Sequence, residues 1–289
     1  MKKLLLIDSH ALIHRFFHAM PPLTAGDNMP IGAIYGLCKL LLKIINEEKP
    51  EYVAACFDRP EPTFRKKEYE AYKANRAEVS SDLIPQLIEA RNTFEAFGVK
   101  IFELAGFEAD DIIATLAEKY KGEKDLQVVI LSGDRDLLQL VEGEKVVADM
   151  LKSGAGEVER YNEEKVKEKY ELRPDQIADL KGLMGDASDN IPGVPGVGQK
   201  TATPLLKEFE TVEGVYENLV IISEKHAKRL EGFEEQALMS KRLATVDRNA
   251  PIKLNGLENI KLGKLDEKKL DAYFKKFGFV SLAEQAEFL

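Results

Sequence analysis

Residues 4–8 read LLLID, an apolar run closed by a carboxylate. The run is too short for the core of a signal peptide, although two lysines precede it, and it reads as a first β-strand. The pattern recurs twice: residues 52–57 (YVAACF) lead into Asp58, and residues 128–131 (VVIL) lead through Ser132 and Gly133 to Asp134. Helical periodicity fills the intervals at 34–47, 82–97 and 110–120, and a further short strand is predicted at 99–103. The order β-α-β-α-α-β predicts a mostly parallel sheet flanked by helices, an α/β architecture. In such sheets ligands bind beyond the carboxyl ends of the strands, the ends at which Asp8, Asp58 and Asp134 fall.

Beyond about residue 160 the β signal fades, and helical patterns at 163–170, 174–184, 199–209 and 234–246 predict a helical lobe. Two regions are therefore expected, 1–170 and 171–289. At 289 residues, 44% apolar and 31% charged, the chain is long enough for a large core, and no window reaches the apolar length of a membrane span. Cys38 and Cys56 sit in apolar surroundings without metal-ligand spacing and read as small core residues, which suits a reducing, cytoplasmic setting. The net charge of −9 is the wrong sign for a protein coated in positive charge. Nine carboxylates gathered in one site account for it, however, and leave the rest of the chain near neutral, so a nucleic-acid substrate is not excluded.

Those nine are the three strand-end aspartates together with Glu108, Asp110 and Asp111 in FEADDIIATLA, Asp136 in SGDRDLLQL, and Asp186 and Asp189 in LMGDASDNIPG. Taken singly, each fits a helix cap or turn, positions that aspartate favours. Brought together in one cleft, they would not stay ionised without compensating cations. Oxygen ligands with no cysteine or histidine motif nearby point to Mg²⁺ or Mn²⁺, two or more ions, and to phosphoryl chemistry. No Walker loop and no HEXXH motif is present.

Residues 191–202, IPGVPGVGQKTA, place a Gly-Val-Gly-Gln-Lys turn before a helix. Such a turn either connects two helices tightly or offers backbone N–H groups to a phosphate, with Lys200 adding charge. Residues 64–76 carry Arg65, Lys66, Lys67, Lys73 and Arg76 among Phe64, Tyr69 and Tyr72. This is either a solvated face or a strip on which bases stack while cations follow the backbone.

Together, LLLIDSHALIHRFFHAMPPL, GAIYGL, VAACFD, PTFRKKEYEAYKANR, GFEADDIIATLA, LSGDRDLLQL and LKGLMGDASDNIPGVPGVGQKTA stand in an order that resembles one family. It is the 5′ nuclease domain found at the N-terminus of bacterial DNA polymerase I, related to flap endonucleases and phage 5′ exonucleases. The resemblance spans nearly the whole chain. It implies a PIN-like core with a helical arch at about 60–95 and a helix-three-turn-helix element at about 175–210.

The resemblance further implies one metal near Asp8, Asp58, Glu108 and Asp110 and a second near Asp134, Asp136 and Asp189, with Asp111 and Asp186 as ligands or water-mediated partners. It makes Lys73 and Arg76 the groups that stabilise charge on the scissile phosphate. It implies DNA contacts by Arg15, Tyr35, Gly196, Gly198, Gln199, Lys200 and Thr201, with K⁺ on carbonyls of the glycine-rich turn, and the basic, aromatic stretch adds Arg65 and Tyr72. The implied activity is that of a structure-specific 5′-3′ exonuclease and flap endonuclease, leaving a 3′-hydroxyl and a 5′-phosphate, in primer removal and repair. Its partners would be DNA with 5′ flaps or ends, RNA-primed segments included, and a separate polymerase, since no polymerase motif follows before Leu289. A monomer with no membrane association is expected. A PIN-type endoribonuclease and a non-catalytic binder of branched DNA are the alternatives. Two departures stand out: RAEVSSDL lacks the family's prolines, predicting a looser exit from the arch, and Pro204 falls inside the helix expected after the glycine-rich turn.

Overall fold

A computed structural model describes residues 1–152 and 157–286. The strands β1 (Lys2–Asp8), β2 (Tyr52–Phe57), β3 (Lys100–Glu103), β4 (Leu126–Ser132), β5 (Val146–Leu151) and β6 (Val158–Tyr161) form one sheet in the order β3-β2-β1-β4-β5-β6. The first five run parallel, and β6 pairs antiparallel with β5. The helices are α1 (Ser9–Ala19), α2 (Gly32–Glu48), α3 (Phe64–Glu68), α4 (Ile84–Ala96), α5 (Ala109–Tyr120), α6 (Glu163–Tyr170), α7 (Ile177–Met184), α8 (Gln199–Phe209), α9 (Val212–Glu217), α10 (Glu224–Leu230), α11 (Glu234–Ala244), α12 (Glu267–Phe277) and α13 (Val280–Ala286).

The sheet is covered on both faces, which is why β1, β2 and β4 read as unbroken apolar runs. Leu5, Ile7, Val53, Ala55 and Val129 pack with residues of α1, α2, α4, α12 and α13. Leu4, Leu6, Ala54, Cys56 and Ile130 pack on the other face, against Ile112, Ile113 and Leu116 of α5. Strand order reverses between β1 and β4, and the crevice at such a switch point is where open α/β sheets bind ligands. The carboxyl ends of β1 and β4 therefore aim Asp8 and Asp134 at it.

Several elements escaped the sequence reading. In α1 the apolar spacing of Leu12, Ile13 and Phe16 is masked by three histidines. In β5 a buried Asp149 interrupts the apolar run, and it is tolerated because Arg160 of β6 pairs with it through two hydrogen bonds of 2.8 and 2.7 Å. The span 171–289 does not pack as one lobe. Leu270, Phe274, Phe277, Phe279 and Leu282 belong to the core beside the sheet, whereas Leu180, Leu183, Leu206, Val215 and Leu230 form a separate cluster of the helical lobe; residues 287–289 lie outside those described.

The stretch expected as a helical arch is only partly helical. It contains the five-residue α3, a run of turns to about residue 76 and an extended exit, and its C-terminal part, α4, is a covering helix with Ala90 and Phe94 fully buried. Pro204 sits within α8 without ending it; the ring forgoes one bond to the Lys200 carbonyl, and the helix continues to Phe209.

The loop between α7 and α8 is closed by two glycines in left-handed conformation. Gly185 has φ +74° and Gly193 φ +58°, and a Cβ on Gly193 would fall 2.1 Å from the Gly185 nitrogen. Gly193→Ala is expected to destabilise the protein by about 1–3 kcal/mol through this backbone clash, checked by denaturant unfolding.

Candidate metal centre and nucleic-acid interface

A backbone N–H fixes one oxygen each of Asp8, Asp58 and Asp134. Asp8 caps α1, its Oδ1 accepting the Ala11 N–H at 3.1 Å, and its Oδ2 accepts the Ser132 hydroxyl at 2.5 Å. Asp58, just past β2, accepts the Ala109 N–H at 2.7 Å and so ties the end of β2 to the start of α5. Asp134 accepts the Asp136 N–H at 2.9 Å at the head of a 3₁₀ turn. Cap and site are therefore not competing readings: the caps aim the carboxylates.

The electrostatics are those of crowded negative charge. Burial, then the neighbouring Asp58 and Asp134, push the Asp8 carboxyl up to about 7, with Ser132 and the Ala11 amide opposing. Burial and the charges of Asp8 and Asp134 raise Asp110 well above the usual carboxylate range. Asp134 is also raised, by burial first and by Asp189, against the pull of Lys181. Buried oxygens in excess over nearby cations, at the switch point of the sheet, fit hard divalent ions.

Among the described residues no three of these groups already meet around one point; cations reach between them. Lys73 lies 2.9 Å from Glu108 and 3.7 Å from Asp189, and Arg76 lies 2.6 Å from Asp189. Lys181 of α7 bonds both Asp136 and Asp186. Against the upward push of burial, Lys181 and Ser188 hold Asp186 at about 2. Lys73 adopts a left-handed φ of 55° while its N–H donates to the Asp189 carbonyl at 2.9 Å, and Asn75 and Asn190 add two more bonds between these loops. A strained backbone held by neighbouring bonds is a feature of functional sites.

Two cavities flank the cluster. One, of about 620 Å³, is lined by Asp8, Asp58, Lys73, Arg76, Glu108 and Asp110; the other, of about 1200 Å³, by Arg15, Asp136, Lys181, Asp186 and Gln199. Asp134 lines both. Gly196, Gly198, Gln199 and Lys200 are exposed and Thr201 is half-buried, and Gln199 lines the larger cavity.

Three assignments need correction. Asp111 is fully buried away from both cavities, with Oδ1 taken by Arg65 and the Asp247 N–H and Oδ2 by Arg65 and the Glu108 N–H, so no lone pair is left for a metal. Arg65 is 2% exposed and spends its donors on the protein itself, so it cannot touch DNA. Tyr72 is also buried; its hydroxyl lies 3.1 Å from Glu108 and 3.2 Å from Asp189, and its ring offers no stacking face. Tyr35 packs edge-on against Phe279, at 5.2 Å, on the side of α13.

Lys181, Ser132 and His10 were missed. A lysine in the apolar stretch DLKGLM looks like a surface residue until α7 turns it toward Asp136. His10 accepts the Asp58 N–H on Nδ1 at 3.2 Å, which leaves its proton on Nε2, and burial lowers its pKa.

Comparison with known proteins bears on this arrangement. A family model described as the 5′-3′ exonuclease N-terminal resolvase-like domain matches residues 3–171, and one described as the 5′-3′ exonuclease C-terminal SAM fold matches residues 172–268. DNA polymerase I of Bacillus subtilis (strain 168) is 43% identical over 286 residues, covering 98% of this chain and 32% of that protein. The chain thus spans about a third of the length of this relative. Among solved structures, T5 5′-exonuclease with divalent zinc ions bound superposes with a TM-score of 0.69 at 22% identity, over 99% of this chain and all of the other. The catalytic core of Rad2 in complex with DNA substrate gives a TM-score of 0.61 at 16% identity, over 96% and 87%. At these identities the two structures establish a shared fold. Both domain signatures and the near-complete match to the polymerase relative show that the chain belongs to the 5′-3′ exonuclease family.

Proposed function

We propose that the chain hydrolyses phosphodiester bonds in DNA at 5′ ends and flaps with the aid of two divalent ions, Mg²⁺ or Mn²⁺. The observation that carries this reading is the crowding of Asp8, Asp58, Asp110 and Asp134 at the β1–β4 switch point, beside Lys73 and Arg76. That the similar T5 enzyme holds divalent ions and the Rad2 core holds DNA supports it. Asp8, Asp58, Glu108 and Asp110 would hold one ion and Asp134, Asp136, Asp186 and Asp189 the other. Bound there, the ions would lower the pKa of water and neutralise the leaving oxygen.

The chain's own groups do the rest. Lys73 and Arg76, released from Glu108 and Asp189, hold the scissile phosphate and offset the charge that develops on it. Lys73→Ala is expected to lower kcat by about 10²–10³ with KM little changed, because its interaction strengthens only in the transition state. A steady-state series on one flap substrate checks this, and a change in KM alone would remove Lys73 from that role. The start of α8, which has no side-chain cap at Gly198, receives backbone phosphate through its N–H groups, with Gln199, Lys200 and Thr201 around them and Gly196 letting the duplex approach. Arg15 follows the strand along the larger cavity. K⁺ would sit on carbonyls of the same turn and draw the duplex phosphates to it.

The chain then acts as a cytoplasmic monomer, alongside polymerase activity, on displaced 5′ flaps and RNA-primed 5′ segments. No helix among the described residues is long and apolar enough to cross a membrane. A 5′-labelled flap substrate incubated with Mg²⁺ or with EDTA tests the proposal. Cleavage near the junction only with metal is the expected result. DNA bound but uncut across several metals would make the chain a structure-binding protein, and preferential cutting of single-stranded RNA would make it an endoribonuclease.

A further inference from the structure

Arg65, whose charge led to its reading as a DNA contact, is among the largest fully buried side chains of the described residues. Its guanidinium has five donors, and all five are engaged. Nε donates to the Leu243 carbonyl at 2.9 Å; one terminal nitrogen donates to Asp111 Oδ2 at 2.8 Å and Glu108 Oε2 at 3.4 Å; the other donates to Asp111 Oδ1 at 2.7 Å and the Thr245 carbonyl at 2.8 Å. The ring of Phe64 lies 4.5 Å from the guanidinium carbon. One side chain thus joins three separate parts of the molecule: α3 at the base of the Lys73 loop, the first turn of α5, and the end of α11 in the helical lobe.

The first turn of α5 carries Glu108 and Asp110. Asp111, clamped by Arg65, accepts the Glu108 N–H at 3.0 Å and the Asp247 N–H at 2.8 Å, so the backbone at Glu108 is pinned from the helix side and from the lobe side together. The Glu108 carboxylate is divided: Oε2 meets Arg65 and the Tyr72 hydroxyl, while Oε1 faces Lys73 at 2.9 Å. One oxygen is therefore spent on orientation and the other is presented to the site. A buried ion pair is weak evidence for stability, because well-packed apolar replacements often do as well. What an apolar pair could not supply is a fixed direction for the Glu108 carboxylate and a register between the helical lobe and α5.

We infer that Arg65, through Asp111, is a positioning residue that orients Glu108 for the metal-dependent reaction and ties that orientation to the seating of the helical lobe. The inference rests on the nuclease reading above. Partners that orient a metal ligand typically account for about 10–100-fold in metal affinity or activity.

Arg65→Lys keeps the charge and loses the two-pronged grip on Asp111; Asp111→Asn keeps the shape and loses the charge. Each is compared with the parent chain in three measurements: thermal unfolding in EDTA, the Mn²⁺ concentration at half-maximal calorimetric binding, and kcat and KM on a 5′ flap substrate. The expected result is a 10–100-fold rise in the Mn²⁺ midpoint and a fall in kcat at fixed metal, with KM for DNA within about twofold of the parent. An unchanged Mn²⁺ midpoint and kcat in the folded variants, with only the melting temperature lowered, would overturn the inference, as would a rise in KM alone. If one variant fails to fold, the other decides; failure of both to fold would make the pair purely structural and overturn it as well. A parent chain that binds Mn²⁺ but cuts no DNA would instead count against the nuclease reading, and the midpoints would still test the positioning of Glu108.

Discussion

Asp110→Asn is expected to abolish cleavage and at the same time to raise the stability of the metal-free protein. Asp110 lies among Asp8, Asp58 and Asp134, and burial with their charges holds its pKa well above the usual range. Replacing it with a neutral isostere removes a charge that metal would otherwise offset, so turnover should fall by more than the about 10²–10³ that loss of one electrostatic stabiliser costs. The sign of the stability change follows from the same crowding. A carboxyl whose pKa is raised in the folded state costs nothing when both states are protonated, and costs most when both are ionised. For Asp8 the cost develops as pH climbs from the ordinary 3.8 to about 7 and is complete above that. In EDTA at pH 8 the Asp110→Asn variant should therefore melt above the parent, and the difference should shrink toward pH 4. A lower melting temperature in EDTA would mean that Asp110 is structural. The trade of stability for a charged, crowded site is a common feature of active centres.

Asp111→Ala is expected to do the reverse and cost stability, by about 3–5 kcal/mol, because it leaves the Arg65 guanidinium buried without its principal counter-charge. Two short bonds to Arg65 and acceptors for the Glu108 and Asp247 amides disappear together. Against a total of about 5–15 kcal/mol for a folded domain, that is a large fraction. Urea unfolding of parent and variant gives the number. A cost under about 1 kcal/mol would show that the Arg65–Asp111 pair is dispensable for folding. Asp110 and Asp111 are adjacent in sequence, yet their substitutions should move stability in opposite directions.

The pair also shows how far the sequence could be read. By residue type and helix-start position alone the two aspartates of EADD are equivalent, and the family resemblance placed both at or near the metals. What separates them is the turn of the helix: Asp110 faces the cavity with Asp8 and Asp134, while Asp111 faces the body of the protein and Arg65. The strands ending in Asp8, Asp58 and Asp134 were legible because a sheet covered on both faces leaves continuous apolar runs. Strand β5 was not, since the acid at position 149 is matched by an arginine eleven residues later and only pairing reveals the match. Arg65 and Lys66 are neighbours in a basic stretch, and composition cannot tell which is swallowed by the interior. Lys181 was illegible for the opposite reason: an isolated lysine in an apolar helix carries no signal until the fold places it beside Asp136 and Asp186.

The central claim is that the carboxylates at the ends of β1, β2 and β4 and at the start of α5 form a divalent-metal site. Crystals of the chain grown with Mn²⁺, with anomalous differences collected at a wavelength where manganese scatters, test it most directly. The expected result is peaks within about 2–2.6 Å of oxygens from Asp8, Asp58, Glu108 and Asp110 and from Asp134, Asp136, Asp186 and Asp189, with Lys73 and Lys181 swung away. Density free of any anomalous peak there at millimolar Mn²⁺, with both lysines still on their carboxylates, would contradict it.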